Sequence, residues 1–143
     1  MQDSIGESLY KLIHSYKNTL RETAIQSGIK LPVGHIRLLK SLRKKESCNA
    51  KAVATQLGLD KSQVTRVIKD LVERGYLTKE RHPTNHRSSL LVLTHSGKTL
   101  LDHIQTFENT ISQEMVIGLT DQQIDQFIQI ADTMRHNLEQ NND

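Results

Sequence analysis

Apolar residues recur at helical spacing in six stretches of this chain and yield to two strand-like runs only between the fourth and the fifth. Ile5, Leu9, Leu12, Ile13, Tyr16, Leu20 and Ala24 keep the rhythm that puts one apolar stripe on one face of a helix. Gly28 helps end that helix, and Pro32 blocks its continuation, because proline disfavours helical backbone at the residue before it. Val33, Ile36, Leu39 and Leu42 predict a second helix, and Ala50, Val53, Ala54 and Leu57 a short third one. Val64, Val67, Ile68, Leu71 and Val72 predict a fourth, starting near Lys61. After the strand-like runs, Leu100, Leu101, Ile104, Phe107, Ile111 and Met115 mark a long helix that Gly118 breaks. Thr120 and Gln123 form a capping-box pattern ahead of a last helix carrying Ile124, Phe127, Ile128, Ala131, Met134 and Leu138.

The third and fourth helices are joined by a three-residue turn. Gly58 is placed to take the left-handed backbone that ends a helix, and Asp60 or Ser62 is placed to cap the next one. Small alanines allow a steep, close helix crossing, so the pair reads as a helix-turn-helix. Gly75 ends the fourth helix. The segments Gly75–Arg81 and Ser88–Thr94 then flank a Pro/Asn loop, His82–Arg87, which predicts a β-hairpin. A hairpin directly behind such a helix is a wing. The fold class expected is mainly α with a small β-hairpin wing (α+β). Its parts are an N-terminal helix over 1–30, a winged helix-turn-helix core over 31–98 and two C-terminal helices over 99–143. In the core the recognition helix covers about 61–74 and the wing about 76–94.

Opposite the apolar stripe of the fourth helix lie Ser62, Arg66, Lys69 and Glu73, flanked by Gln63, Thr65 and Asp70. Arg and Lys donate to guanine O6 and N7, Gln pairs with adenine, and Thr meets a thymine methyl or a phosphate. The candidate DNA-binding set is Lys51, Lys61, Ser62, Gln63, Thr65, Arg66 and Lys69, with His82, Asn85, His86 and Arg87 at the wing tip for phosphates or the minor groove. The same helix face would also suit an ordinary solvated surface, and the wing a mere connection.

Charge distribution separates these readings. Between Lys30 and Lys98 lie 15 of the 19 Lys and Arg but only 5 of the 16 Asp and Glu. A core that neutralises phosphates needs such a positive excess, and the acidic flanks are then kept off the nucleic acid. Those flanks are long amphipathic helices that a monomer of this size buries poorly. A two-fold dimer would cover them and pair two recognition helices about 34 Å apart for a palindromic site. An intramolecular bundle is the other way to cover them.

Composition narrows the rest. No apolar run approaches the 18 residues of a membrane span, and the start Met1-Gln2-Asp3 does not resemble a signal peptide. One cysteine forms no internal disulfide, so a cytoplasmic home is expected. Aromatic residues make up 3% and tryptophan is absent, which argues against single-strand stacking platforms. No phosphate loop, nucleophile elbow or paired carboxylate stands out. Neither catalysis nor a cofactor is expected.

Three stretches together carry a family resemblance: LPVGHIRLLKSL at 31–42, LGLDKSQVTRVIKDLVERGYL at 57–77 and LVLTHSG at 91–97. In this order they resemble the MarR family of winged helix-turn-helix transcriptional regulators across nearly the whole chain. The family's wing commonly reads Asp-Pro-x-Asp-Arg-Arg. Here it reads His82-Pro83-Thr84-Asn85-His86-Arg87, with Pro83 and Arg87 kept, Asn85 in place of the second Asp and His86 in place of the first Arg. The resemblance implies a homodimer on an inverted-repeat operator, usually a repressor, released by a small molecule such as an aromatic acid or a phenolic compound. It implies a ligand cleft between the dimerisation helices and the core, to which Tyr10, His14, His35 and Arg37 are candidate contributors. Alternatives left open are a winged-helix module that binds protein, a redox regulator acting through Cys48, and a metal- or pH-responsive one using His82 and His86. No Cys/His cluster has zinc-site spacing.

Overall fold

The computed structural model describes residues 2–43, 48–84 and 89–141. The chain forms two compact units, Met1–Phe107 and Glu108–Asp143. In order the elements are α1 (Ile5–Gln26), α2 (Val33–Arg43), α3 (Ala50–Leu57), α4 (Lys61–Glu73), β1 (Leu77–Arg81), β2 (Ser89–Leu93), α5 (His95–Met115) and α6 (Asp121–Asn141). The fold is mainly helical with one hairpin, as expected from the pattern.

Local chemistry sets the helix boundaries. Ser4 caps α1, its side chain accepting from the Glu7 amide. At the other end the Ile29 amide reaches back 2.9 Å to the Ala24 carbonyl around Gly28, whose φ of 79° suits glycine far better than a residue bearing Cβ. Asn49 caps α3 by accepting from Ala52 at 2.7 Å, and Gly58 closes it in left-handed backbone. The α6 start is the reciprocal pair expected of Thr120 and Gln123: each side chain accepts from the other's backbone amide, at 3.0 and 3.1 Å.

The core of the first unit is built from α2, α3, α4, the hairpin and the front of α5. Leu38, Leu39 and Leu42 of α2, Val53 of α3, and Val64, Ile68 and Leu71 of α4 are buried with Leu77, Leu91, Leu101 and Ile104. Leu38 is absent from the expected α2 stripe yet fully covered. Because α2 meets α3, α4 and β2 together, it buries a wider arc than a helix lying on one neighbour. The hairpin is antiparallel and in register from Leu77 opposite Leu93 to Arg81 opposite Ser89. Cys48 adds a single bridged residue beside β2, exchanging both backbone hydrogen bonds with Leu91. A polar knot holds the hairpin base to α5. Thr94 donates its hydroxyl to the Gly75 carbonyl at 2.6 Å and accepts from the Gly97 amide at 3.0 Å, while its own amide bonds Tyr76.

The second unit behaves differently. No residue of α6 is buried, and Phe127, Ile128, Ile130, Met134 and Leu138 stand exposed along it. In α1, likewise, Ile5, Leu9, Tyr10, Leu12 and Ile13 are exposed. No helix among the described residues is long and apolar enough to cross a membrane.

Candidate nucleic-acid interface

The site is the outer face of α4 and its surroundings. A capping box starts the helix: the Asp60 side chain accepts from the Gln63 amide at 2.8 Å, and the Gln63 side chain accepts from the Asp60 amide at 3.1 Å. The Gln63 amide donation, followed by that of the Ser62 hydroxyl, holds the Asp60 carboxyl below its ordinary value of 3.8. The helix ends at Gly75, φ 83°, with Tyr76 bonding back to Leu71. With Val64, Ile68 and Leu71 buried beneath, the helix has one free face.

That face sorts the expected residues into two groups. The Ser62 hydroxyl donates to Asp60, the Thr65 hydroxyl to the Lys61 carbonyl, and Gln63 Oε1 is engaged in the cap. Lys61, Arg66 and Lys69 are exposed and make no hydrogen bond or ion pair among the described residues. With Asp60, Ser62 and Thr65 they border one open depression. Three long cations projecting from the free face of a short helix are chemically suited to phosphates and guanine edges.

Lys51 lies on the other side of α4. It shares with Lys61, Thr65 and Lys79 the rim of a cleft of about 670 Å³ between α3, α4 and the hairpin, floored by Ala54, Val64, Ile68 and Leu91. Lys79 was not among the expected residues. Its signal was its position on β1, where only Leu77 of five residues is buried. His82 is half-buried, and its Nδ1 accepts from the Thr84 amide at 3.1 Å, shaping the turn after β1. Asn85, His86 and Arg87 lie outside the described residues. The Cys48 side chain is buried beside β2. Among the described residues no three His, Cys, Asp or Glu gather as a metal site.

Comparison with known proteins assigns a family to part of this architecture. The family model described as MarR family matches residues 31–89, the stretch from the start of α2 into β2. Residues 31–89 form a MarR-family domain. Beyond the core, the chain is similar to the HTH-type transcriptional regulator SarZ of Staphylococcus saprophyticus, 24% identical over 126 residues, covering 88% of this chain and 79% of that protein. In fold it is similar to Streptococcus pneumoniae FabT, solved in complex with DNA, with a TM-score of 0.79 at 16% identity, over 96% of this chain and 99% of that one. It is also similar to Bordetella bronchiseptica BpsR, whose DNA binding is regulated by 6-hydroxynicotinic acid. There the TM-score is 0.80 at 23% identity, covering 93% and 94% of the two chains. The MarR-family core therefore sits in a chain that has the fold of these regulators over nearly its whole length.

Proposed function

We propose that this protein is a sequence-specific, double-stranded-DNA-binding transcriptional regulator. It acts as a homodimer on an inverted-repeat operator, as a repressor released by a small aromatic or phenolic effector. Residues 31–98 are the DNA-binding core, and 1–30 and 99–143 the dimerisation framework. The observation that carries this reading is the free face of α4, where Lys61, Arg66 and Lys69 stand exposed, with no hydrogen bond or ion pair among the described residues, on a helix whose other side is locked into the core. Phosphate contacts by such cations position a helix, and base contacts from the same helix supply sequence preference.

An effector acts only through unequal affinity for the DNA-competent and DNA-incompetent arrangements of the dimer, and about 1–3 kcal/mol of coupling suffices. The regulation of BpsR by 6-hydroxynicotinic acid supports an aromatic acid as the first class to test. The direct experiment measures binding to the duplex upstream of the protein's own gene and to a scrambled duplex at several salt concentrations. A preference for the native duplex, with affinity falling steeply as salt rises, is expected. Equal weak binding to both, and no duplex enriched from a random library, would count against the reading.

A further inference from the structure

The surface around α4 contains one feature that the DNA-reading face does not use. Asp70 lies on the flank of that face, and a bare carboxylate there would oppose a phosphate backbone. It is not bare. His35 Nε2, in the first turn of α2, lies 2.8 Å from Asp70 Oδ2. Arg74 donates Nε–H to the same oxygen at 3.0 Å, and its Nη1 donates to the Lys30 carbonyl in the α1–α2 connection at 3.1 Å. The His35 side chain is only 15% exposed, so this contact is shielded from competing water more than a surface pair. Four residues from three parts of the chain thus converge on the second half of α4.

Apolar packing alone leaves one freedom to this helix. Val64, Ile68 and Leu71 fix how deeply α4 sits, but dispersion and hydrophobic contact are non-directional and resist a small roll about the helix axis weakly. Base reading tolerates only about 0.5 Å and 10–20° of error in the reading groups. A directional hydrogen bond from α2 to the flank of α4 resists that roll. Asp70 follows Lys69 directly and lies one turn beyond Arg66, so its tether acts beside the two cations on the C-terminal side of the face.

We propose that His35 and Asp70 are positioning residues for the recognition helix: their hydrogen bond, backed by Arg74 and the Lys30 carbonyl, sets the roll of α4 and thereby its sequence preference. This rests on the DNA-binding reading above and deepens it. The predicted signature is a loss of discrimination with little loss of general DNA affinity, because phosphate contacts by flexible lysines survive a roll that base contacts do not.

The test begins with the wild-type full chain and a random duplex library, from which a preferred duplex is enriched. Affinities for that duplex and a scrambled one are then measured at one salt concentration for His35→Phe, His35→Gln, Asp70→Ala and the double variant His35→Phe/Asp70→Ala, with thermal melting alongside. His35→Phe keeps a ring of similar size without a donor, and His35→Gln restores an N–H donor. His35→Phe and Asp70→Ala should each lower the preference for the enriched duplex about tenfold, the scale of a hydrogen bond to a charged group. His35→Gln should recover most of it, and the double variant should lose no more than Asp70→Ala alone. Should His35→Phe fail to fold, the comparison of Asp70→Ala with His35→Gln carries the same test. Wild-type discrimination in Asp70→Ala would overturn the proposal. So would equal losses in His35→Gln and His35→Phe, which would reduce His35 to packing. If the wild type enriches no duplex, the DNA-binding reading itself falls and this role falls with it; if it enriches one and the variants match it, only the positioning role falls.

Discussion

Asp60 shows how much a single exposed residue does at the start of α4. Its carboxylate takes the Gln63 amide and the Ser62 hydroxyl, and both favour the ionised form, so its pKa is lowered from 3.8. A carboxylate with a lowered folded value contributes stability that is fully present above its unfolded value and lost as pH falls through the folded one. The capped start of α4 should therefore weaken below pH 3.8 and not in the neutral range. Acid titrations followed by circular dichroism should show a steeper loss of stability below that pH in the wild type than in Asp60→Asn, which keeps a cap acceptor but cannot titrate. Arg66 occupies the same first half of α4 with a different task. If it reads a base, Arg66→Ala should cost about 1–3 kcal/mol in binding the preferred duplex and relax preference at one position. Lys69→Ala, if Lys69 sits on phosphate, should weaken preferred and scrambled duplexes alike and reduce the salt slope by about one unit. Titration of both variants against both duplexes separates the two roles.

At the scale of elements, the helix boundaries were legible because each is written in local chemistry. Gly58 between two helices, Asp60 before Lys61, and Thr120 three residues before Gln123 specify caps that need no tertiary partner. Contacts set by distant parts of the chain were not legible. Leu38 lies off the expected stripe of α2 and is buried because three elements converge on that helix. Cys48 invited a chemical reading, yet its backbone forms an isolated bridge to Leu91, which no spacing announces. On the outer face of α4, residue types pointed to six polar candidates, but the sequence does not say which hydroxyls and amides the helix consumes itself, as it does for Ser62, Gln63 and Thr65. Gly97 belongs to the same class. It was visible as part of a motif, and the structure supplies the reason: a Cβ there would stand 2.3 Å from the Tyr76 carbonyl oxygen, which is backbone and cannot step aside. Gly97→Ala should therefore push the hairpin base away from α5 and cost about 1–3 kcal/mol, as overpacking does. A lowered urea midpoint with an unchanged slope is the expected reading.

For the whole molecule, the decisive fact is an amphipathic helix with no buried residue. A helix whose apolar stripe faces water gains little from tertiary burial, although burial is what stabilises most protein helices. Along α6, Phe127, Ile128, Ile130, Met134 and Leu138 are exposed, and along α1 so are Ile5, Leu9, Leu12 and Ile13. Apolar area of this extent marks an interaction surface, and a second copy supplies a matching one by symmetry. The chain's charge agrees with such a division of labour, since the basic excess is confined to Lys30–Lys98 and the flanks are acidic. The proposed dimer is tested by Phe127→Glu together with Ile128→Glu. Both residues are exposed in the single chain, so these changes should leave its helix content intact while placing charge on the apolar face proposed to pair. Sedimentation should give twice the chain mass for the wild type and the chain mass for the variant. DNA binding then supplies an independent readout. A dimer on an inverted repeat neutralises two half-sites' worth of phosphates, and the slope of log affinity against log salt scales with that number. The variant should bind the inverted repeat with about half the wild-type slope and no more tightly than it binds an isolated half-site. A variant that sediments as a dimer and keeps the full slope would move the interface away from α6.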